Sequence, residues 1–277
     1  MTVLLRVAAL AFLLTGCIGG GSASPSAAGS PTATGLPGGS SSERFSSRPA
    51  GSVEGAPLGY AEYLPPGYGD GAARPLLVFL HGGGEGGDGT ETSLRQVTKL
   101  GIPMMIAGDE WPEDRPFVVL TPQFSRADVQ DCELADELDS FLDFALTHYD
   151  VDERRVYLTG LSCGAIGVWD YVAVHGNEVV TAVVPIAGHA ANAIDTAGCE
   201  LGQVPVWAFH GADDEVVPVM YIEDPIEELK ACDPPPTDVR LTIYPDADHF
   251  ENDAWTRTYD LSAGHDVYAW LLSHERL

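Results

Sequence analysis

The sequence predicts an α/β protein with a mostly parallel sheet covered by helices on both faces, and three observations carry that expectation. Short apolar runs rich in strand formers alternate with amphipathic, helix-like runs over most of the chain. At residues 156–172, VYLTGLSCGAIGVWDYV passes from a strand into a helix across a serine flanked by glycines. Several of the apolar runs empty into loops that carry Gly, Asp or His, which is where a parallel sheet gathers its functional groups.

Taken in order, strands are expected near 76–80, 117–121, 156–159, 182–187, 206–209 and 239–244, and helices near 131–148, 163–175, 225–231 and 265–274. The strand Leu76 to Leu80 opens into the glycine run HGGGEGGDG. In the helix from Glu133, Leu134, Leu138, Phe141, Leu142 and Ala145 share one face, while Asp136, Glu137, Asp139 and Asp143 form a solvated opposite face. The helix after Ser162 carries Ile166, Val168, Trp169 and Val172 at spacings that place an apolar face on the sheet. The strand Val206 to Phe209 leads to Asp213 and Asp214, and the strand Val239 to Tyr244 to a loop ending at His249. No stretch is long enough for a large separate lid, so an open site is expected.

The chemistry concentrates at Gly160-Leu161-Ser162-Cys163-Gly164. A nucleophilic serine on a sharp strand-to-helix bend needs small flanking residues where the backbone crowds, and the helix then aims its first N–H groups at the reacting oxygen. An acid and then a histidine follow from later strand ends, so Ser162, one of Asp213 or Asp214, and His249 could converge on one point. A tetrahedral intermediate also needs N–H donors for its oxyanion; Gly83 or its neighbour in the glycine run and the N–H of Cys163 are the expected pair. A phosphate-binding role for the glycine run fails on detail, because no Gly-Lys-Ser/Thr follows and no G-x-G-x-x-G opens a helix.

On these residues the chain resembles the α/β-hydrolase fold. It is most similar to secreted esterases grouped with polyhydroxybutyrate depolymerases, "predicted peptidases" and phospholipase/carboxylesterase or dienelactone-hydrolase-like proteins. The matching stretches are YLPPGYGDGAARPLLVFLHGGGEGGDG, VDERRVYLTGLSCGAIGVWDY, VPVWAFHGADDEVVP, YPDADH, and WTRTYD with YAWLLSH. The resemblance implies Ser162 as nucleophile, His249 as base and Asp214 as acid, four residues after the His of the His-Gly pair at His210. Met is the commoner residue in the family where this chain has Cys163. The family tryptophan falls three residues after the histidine, whereas Trp255 stands six after His249. Anchoring on Tyr244-Pro245 keeps His249 in place; anchoring on Trp255 would put Asn252 there, which cannot act as a base. Trp255 is either a wall of the acyl or alcohol pocket or a core residue.

The implied activity is hydrolysis of carboxylic esters through an acyl-enzyme, without a cofactor, on a small-molecule or polymer-borne ester. A peptidase of the same fold and a non-catalytic surface-binding lipoprotein are the alternatives.

The chain begins MTVLLRVAALAFLLTGCIGG, an apolar run of signal length followed by Leu14-Thr15-Gly16-Cys17. The ending resembles a lipobox, which implies lipid on Cys17 and a protein exported and held at the outer face of the cell membrane; an ordinary secretory signal is the alternative. Residues 1–17 are thus expected to be a signal, 18–52 a flexible Gly/Ser/Pro/Ala tether, and 53–277 one catalytic domain of about 220 residues. The net charge of −27, with Lys99 and Lys230 the only lysines, argues against nucleic acid and against adhesion to anionic lipid headgroups. Besides Cys17, four cysteines in an exported chain suggest disulfides; three pairings are open, and the reading leans to Cys199 with Cys232. No Cys-x-x-Cys spacing is present, so a metal site is not expected.

Overall fold

The computed structural model describes residues 39–277. Its strands are β1 (Phe45–Arg48), β2 (Tyr60–Tyr63), β3 (Arg74–Leu80), β4 (Val118–Pro122), β5 (Val151–Leu161), β6 (Ala182–Ile186), β7 (Val206–Gly211) and β8 (Val239–Tyr244). They form a single sheet in the order β1-β2-β4-β3-β5-β6-β7-β8. β2 runs antiparallel to both its neighbours, β1 and β4, and β3 to β8 are mutually parallel. The helices are α1 (Glu91–Leu94), α2 (Gly101–Ala107), α3 (Asp128–Asp131), α4 (Ala135–His148), α5 (Cys163–His175), α6 (Ala191–Ala197), α7 (Met220–Lys230), α8 (Ala254–Tyr259) and α9 (Val267–Leu272).

The sheet is buried on both faces, which is why its central strands are continuously apolar rather than alternating. Along β3, Leu76, Val78 and Leu80 pack into one core, while Leu77 and Phe79 pack into the other. Leu138, Phe141 and Leu142 of α4 with Val168 and Trp169 of α5 close the first core. Ile102 and Ile106 of α2, Tyr259 of α8, and Tyr268 and Leu271 of α9 close the second.

The structure changes several expectations. The helix expected over 131–148 starts later, at Ala135; a separate short helix, α3, ends at Asp131, and Cys132, with a left-handed φ of 59°, divides the two. Helices α1, α2, α6 and α8 are too short, at four to seven residues, to display a 3.6-residue period. α7 begins at Met220 and carries Pro225 inside it, where the sequence places the helix start. Strands β1 and β2 have no counterpart in the sequence reading.

The ordered domain also starts ahead of the expected boundary at 53. Phe45 to Arg48 pair with Tyr63 to Tyr60, and the buried Ser41 hydroxyl donates to the Ile106 carbonyl at 2.9 Å. Arg48 meets the Glu62 carboxylate, which is almost fully buried, at 2.6 Å. Backbone pairing and a few polar contacts hold this edge strand, and a Ser-rich composition does not reveal them. The signal segment, Cys17 and the tether up to residue 38 lie outside the described residues.

Two disulfides form, Cys199–Cys232 with Cα atoms 5.7 Å apart and Cys132–Cys163 with Cα atoms 5.1 Å apart. Among the described residues no helix is long and apolar enough to cross a membrane.

Candidate active site

β5 ends at Leu161 and α5 begins at Cys163, so Ser162 alone makes the bend, with φ 52° and ψ −119°. A non-glycine residue in that region is strained and persists only where its surroundings hold it. Here the Ser162 N–H donates to the Ile186 carbonyl at 2.9 Å, tying the bend to β6. The flanking glycines are required by space: a Cβ on Gly160 would lie 2.6 Å from the Gly164 carbonyl carbon, and one on Gly164 2.2 Å from the Leu80 carbonyl oxygen. Strand, bend and helix are thereby pressed against the end of β3.

The Ser162 hydroxyl stands 3.0 Å from His249 Nε2, and His249 Nδ1 stands 2.7 Å from Asp214 Oδ2. Asp214 reaches inward from the loop after β7 and His249 from the loop after β8; both are nearly fully buried. The second oxygen of Asp214 accepts the N–H groups of Val216 and Val217, at 3.0 and 2.8 Å, so the carboxylate has no freedom to rotate away. Asp213 is exposed, and its N–H donates to the Ala247 carbonyl at 3.0 Å, joining the acid loop to the histidine loop. Asn252 stays in its own exposed loop, where its side chain bonds the Asp246 carbonyl and Arg257. Trp255 is buried in the second core with its ring centroid 5.3 Å from that of His249 and nearly perpendicular to it. It backs the imidazole rather than walling an open pocket, because α8 turns it inward.

The glycine run after β3 sits beside this relay. Gly83 is exposed on it, and Cys163 opens α5, so its N–H has no intrahelical acceptor. Among the described residues neither N–H is taken by a turn, loop or cap hydrogen bond. His81 precedes the run and is fully buried; its Nδ1–H donates to the Gly82 carbonyl at 2.8 Å, and its Nε2 accepts from the Phe124 N–H at 3.1 Å. Burial pushes its pKa down to about 4, so the ring is a neutral tautomer fixed by its two partners. His210 is likewise buried, with its pKa lowered by burial; its Nε2–H donates to the Val217 carbonyl at 2.7 Å and stands 3.5 Å from Asp214.

Sequence reasoning missed three contributors. Gln123, just past β4, laces the glycine run: its amide donates to the Glu85 and Ser93 carbonyls at 2.9 Å each and accepts from the Gly89 N–H at 3.0 Å. A polar residue directly after an apolar strand was its only signal. Asp248 accepts from the N–H groups of Phe250, Glu251 and Asn252 at 2.8, 2.8 and 3.2 Å, which holds its carboxyl below the usual range and fixes the loop after His249. That loop presents Phe250, 71% exposed, with its ring centroid 4.9 Å from the His249 ring. Among the described residues no cluster of three or more His, Cys, Asp or Glu could hold a metal ion.

A sheet of this order, with a serine on a strained strand-to-helix bend, defines an α/β-hydrolase. Residues 111–274 match the profile of the dienelactone hydrolase family, and the chain belongs to that family of hydrolases. Among solved structures it is similar to a thermostable esterase (24% identity, TM-score 0.59, covering 85% of this chain), of whose length it spans 64%. It is also similar to the feruloyl esterase module from Clostridium thermocellum complexed with sinapinate (18% identity, TM-score 0.58, covering 82% of this chain and 86% of that one). Prolyl endopeptidases share the fold as well, at 12% identity and TM-score 0.58, covering 83% of this chain and 39% of theirs. No curated protein sequence matches the chain.

Proposed function

We propose that this hydrolase cleaves carboxylic esters through an acyl-enzyme on Ser162. The observation that carries the reading is the unbroken relay from the Ser162 hydroxyl through His249 to the buried Asp214. His249 Nε2 takes the hydroxyl proton as Oγ attacks the ester carbonyl carbon, and Asp214 holds the tautomer and balances the imidazolium charge. The N–H groups of Gly83 and Cys163 receive the carbonyl oxygen as it becomes an oxyanion. Collapse breaks the ester C–O bond; His249 gives its proton to the departing alkoxide, and the alcohol leaves. Water then attacks the acyl-enzyme with His249 again as base, releasing the acid and restoring Ser162.

Phe250 borders the imidazole that must protonate the leaving oxygen, so its exposed ring favours esters whose alcohol part is apolar or aromatic. The net charge of −27 disfavours anionic substrates at low salt. The substrate is a small-molecule or polymer-borne ester, and no cofactor takes part. Cys17 carries lipid that holds the domain at the outer face of the membrane, with the Gly/Ser-rich segment as tether; the Leu-Thr-Gly-Cys run supports this.

A fluorophosphonate probe should label the parent protein and not Ser162→Ala, and p-nitrophenyl esters should be cleaved in preference to peptide anilides. Equal labelling of the two proteins, or faster anilide cleavage, would overturn the reading.

A further inference from the structure

We infer that Cys132 is a positioning residue: through its disulfide to Cys163 it closes a brace that sets the distance between the two oxyanion donors. This rests on the esterase reading above. The two donors come from different parts of the fold, Gly83 from the loop after β3 and Cys163 from the first turn of α5. One intervening segment, residues 123–132, touches both.

On the β3 side the attachment is dense. Gln123 bonds three backbone groups of the loop, the Phe124 N–H bonds the buried His81, and the Phe124 carbonyl accepts the Gly87 N–H at 2.9 Å. Val129 then lies directly on the loop: a Cβ at Gly83 would stand 3.6 Å from its carbonyl oxygen, and one at Gly86 2.5 Å from its side chain.

On the α5 side the attachment is the covalent bond. Cys163 Sγ also stands 3.4 Å from the Val129 carbonyl oxygen, so the carbonyl that faces the space beside Gly83 also touches the residue after the nucleophile. Cys132 meets that bond from a left-handed conformation at the end of α3, where a non-glycine residue needs an outside restraint. Without the bond, β3 and β5 would keep their register, but the first turn of α5 would lose its covalent tie to the segment that carries the glycine loop, and only the packing of Val129 and Leu134 in the first core would relate the two.

The consequence falls on the transition state. A donor displaced by a fraction of an ångström still admits substrate, but it no longer meets the oxyanion at hydrogen-bond distance. The bond is also open to chemistry. Cys163 is buried while Cys132 is half-exposed, so an external thiolate attacks the Cys132 sulfur and expels the Cys163 thiolate. A dithiol reductant completes the exchange, leaving two protein thiols and one oxidised reductant.

The experiment uses the full chain as parent, Ser162→Ala, Cys132→Ser, and the paired change Cys199→Ser with Cys232→Ser. Each is assayed on one p-nitrophenyl ester below its own Tm, together with the affinity of a trifluoromethyl ketone that mimics the oxyanion. Cys132→Ser should lose about 10- to 100-fold in kcat with KM within about twofold, and bind the ketone more weakly by a similar factor. The paired Cys199/Cys232 variant should keep parental kinetics even with a lower Tm. Dithiothreitol should lower kcat of the parent, and not of Cys132→Ser, reversibly on reoxidation. A folded Cys132→Ser with parental kcat or parental ketone affinity overturns the brace, as does activity loss that only tracks the unfolded fraction. If the parent's hydrolysis survives in Ser162→Ala, the esterase reading fails and the brace falls with it; Ser162-dependent hydrolysis with an indifferent Cys132 removes the brace alone.

Discussion

At Asp214 and Asp213, one bond along the chain separates a buried carboxylate at 2.7 Å from His249 from an exposed one with no contact to it. Asp214→Asn should therefore lower kcat/KM by about 10³- to 10⁴-fold, because the amide can offer its N–H to His249 and favour the wrong tautomer. Asp213→Asn should stay within about twofold, and steady-state kinetics on both variants checks the pair. His81 gives a pH prediction. Its folded pKa near 4 lies below the ordinary value of 6.5, so protons bind preferentially to the unfolded chain between those values. Its contribution to stability is complete above pH 6.5 and is lost as pH falls towards 4, up to about 3 kcal/mol. Buried His210 acts in the same direction. Urea unfolding at pH 7 and pH 4.5 should show a steeper loss for the parent than for His81→Asn, which cannot take up the proton.

Among the elements, the bend between β5 and α5 tolerates least. Gly164→Ala would drive a methyl group into the Leu80 carbonyl, costing about 1–3 kcal/mol and displacing Ser162, so both Tm and kcat should fall. The loop after His249 behaves differently, because its backbone is held by Asp248 and by Arg257, which pairs with Asp246 at 2.9 Å. Phe250 projects from this hydrogen-bonded loop. Phe250→Ala should leave kcat for a methyl ester near parental and raise KM for aryl esters several-fold, since only the apolar surface beside the leaving group is lost. An unchanged KM across a series of alcohol groups would remove Phe250 from substrate binding.

Across the whole molecule, β1 decides where the domain begins. A chain starting at residue 53 loses the ladder from Phe45 to Arg48 and leaves the buried Glu62 carboxylate without Arg48. The ion pair alone is worth about 2 kcal/mol, since the guanidinium is partly exposed and screened. Thermal unfolding should show a clearly lower Tm for the chain starting at 53 than for one starting at 39, with greater self-association through the bared edge of β2. At the other scale of the molecule, Cys17→Ser should shift the protein from the membrane fraction to the medium. A domain of this acidity has no electrostatic attraction to anionic headgroups that would hold it there in place of the proposed lipid.

What the sequence determined by itself was the layered plan and the order along the chain of the candidate site residues. Burial of a parallel sheet on both faces writes itself as apolar runs such as Leu76 to Leu80, and a helix on a sheet as the stripe from Leu134 to Ala145; these are local patterns. The glycines around Ser162 are legible for the same reason, since crowding at one bend acts on adjacent residues. Tertiary structure alone decided which side chains meet. Asp214 faces His249 because Val216 and Val217 hold its other oxygen, Asn252 is kept away by Arg257, and Cys132 finds Cys163 across a break that periodicity reads as continuous helix. Trp255 turned inward, Phe250 outward and β1 into the sheet through contacts with residues far along the chain. Such choices depend on packing and hydrogen bonds between distant segments, and no local pattern encodes them.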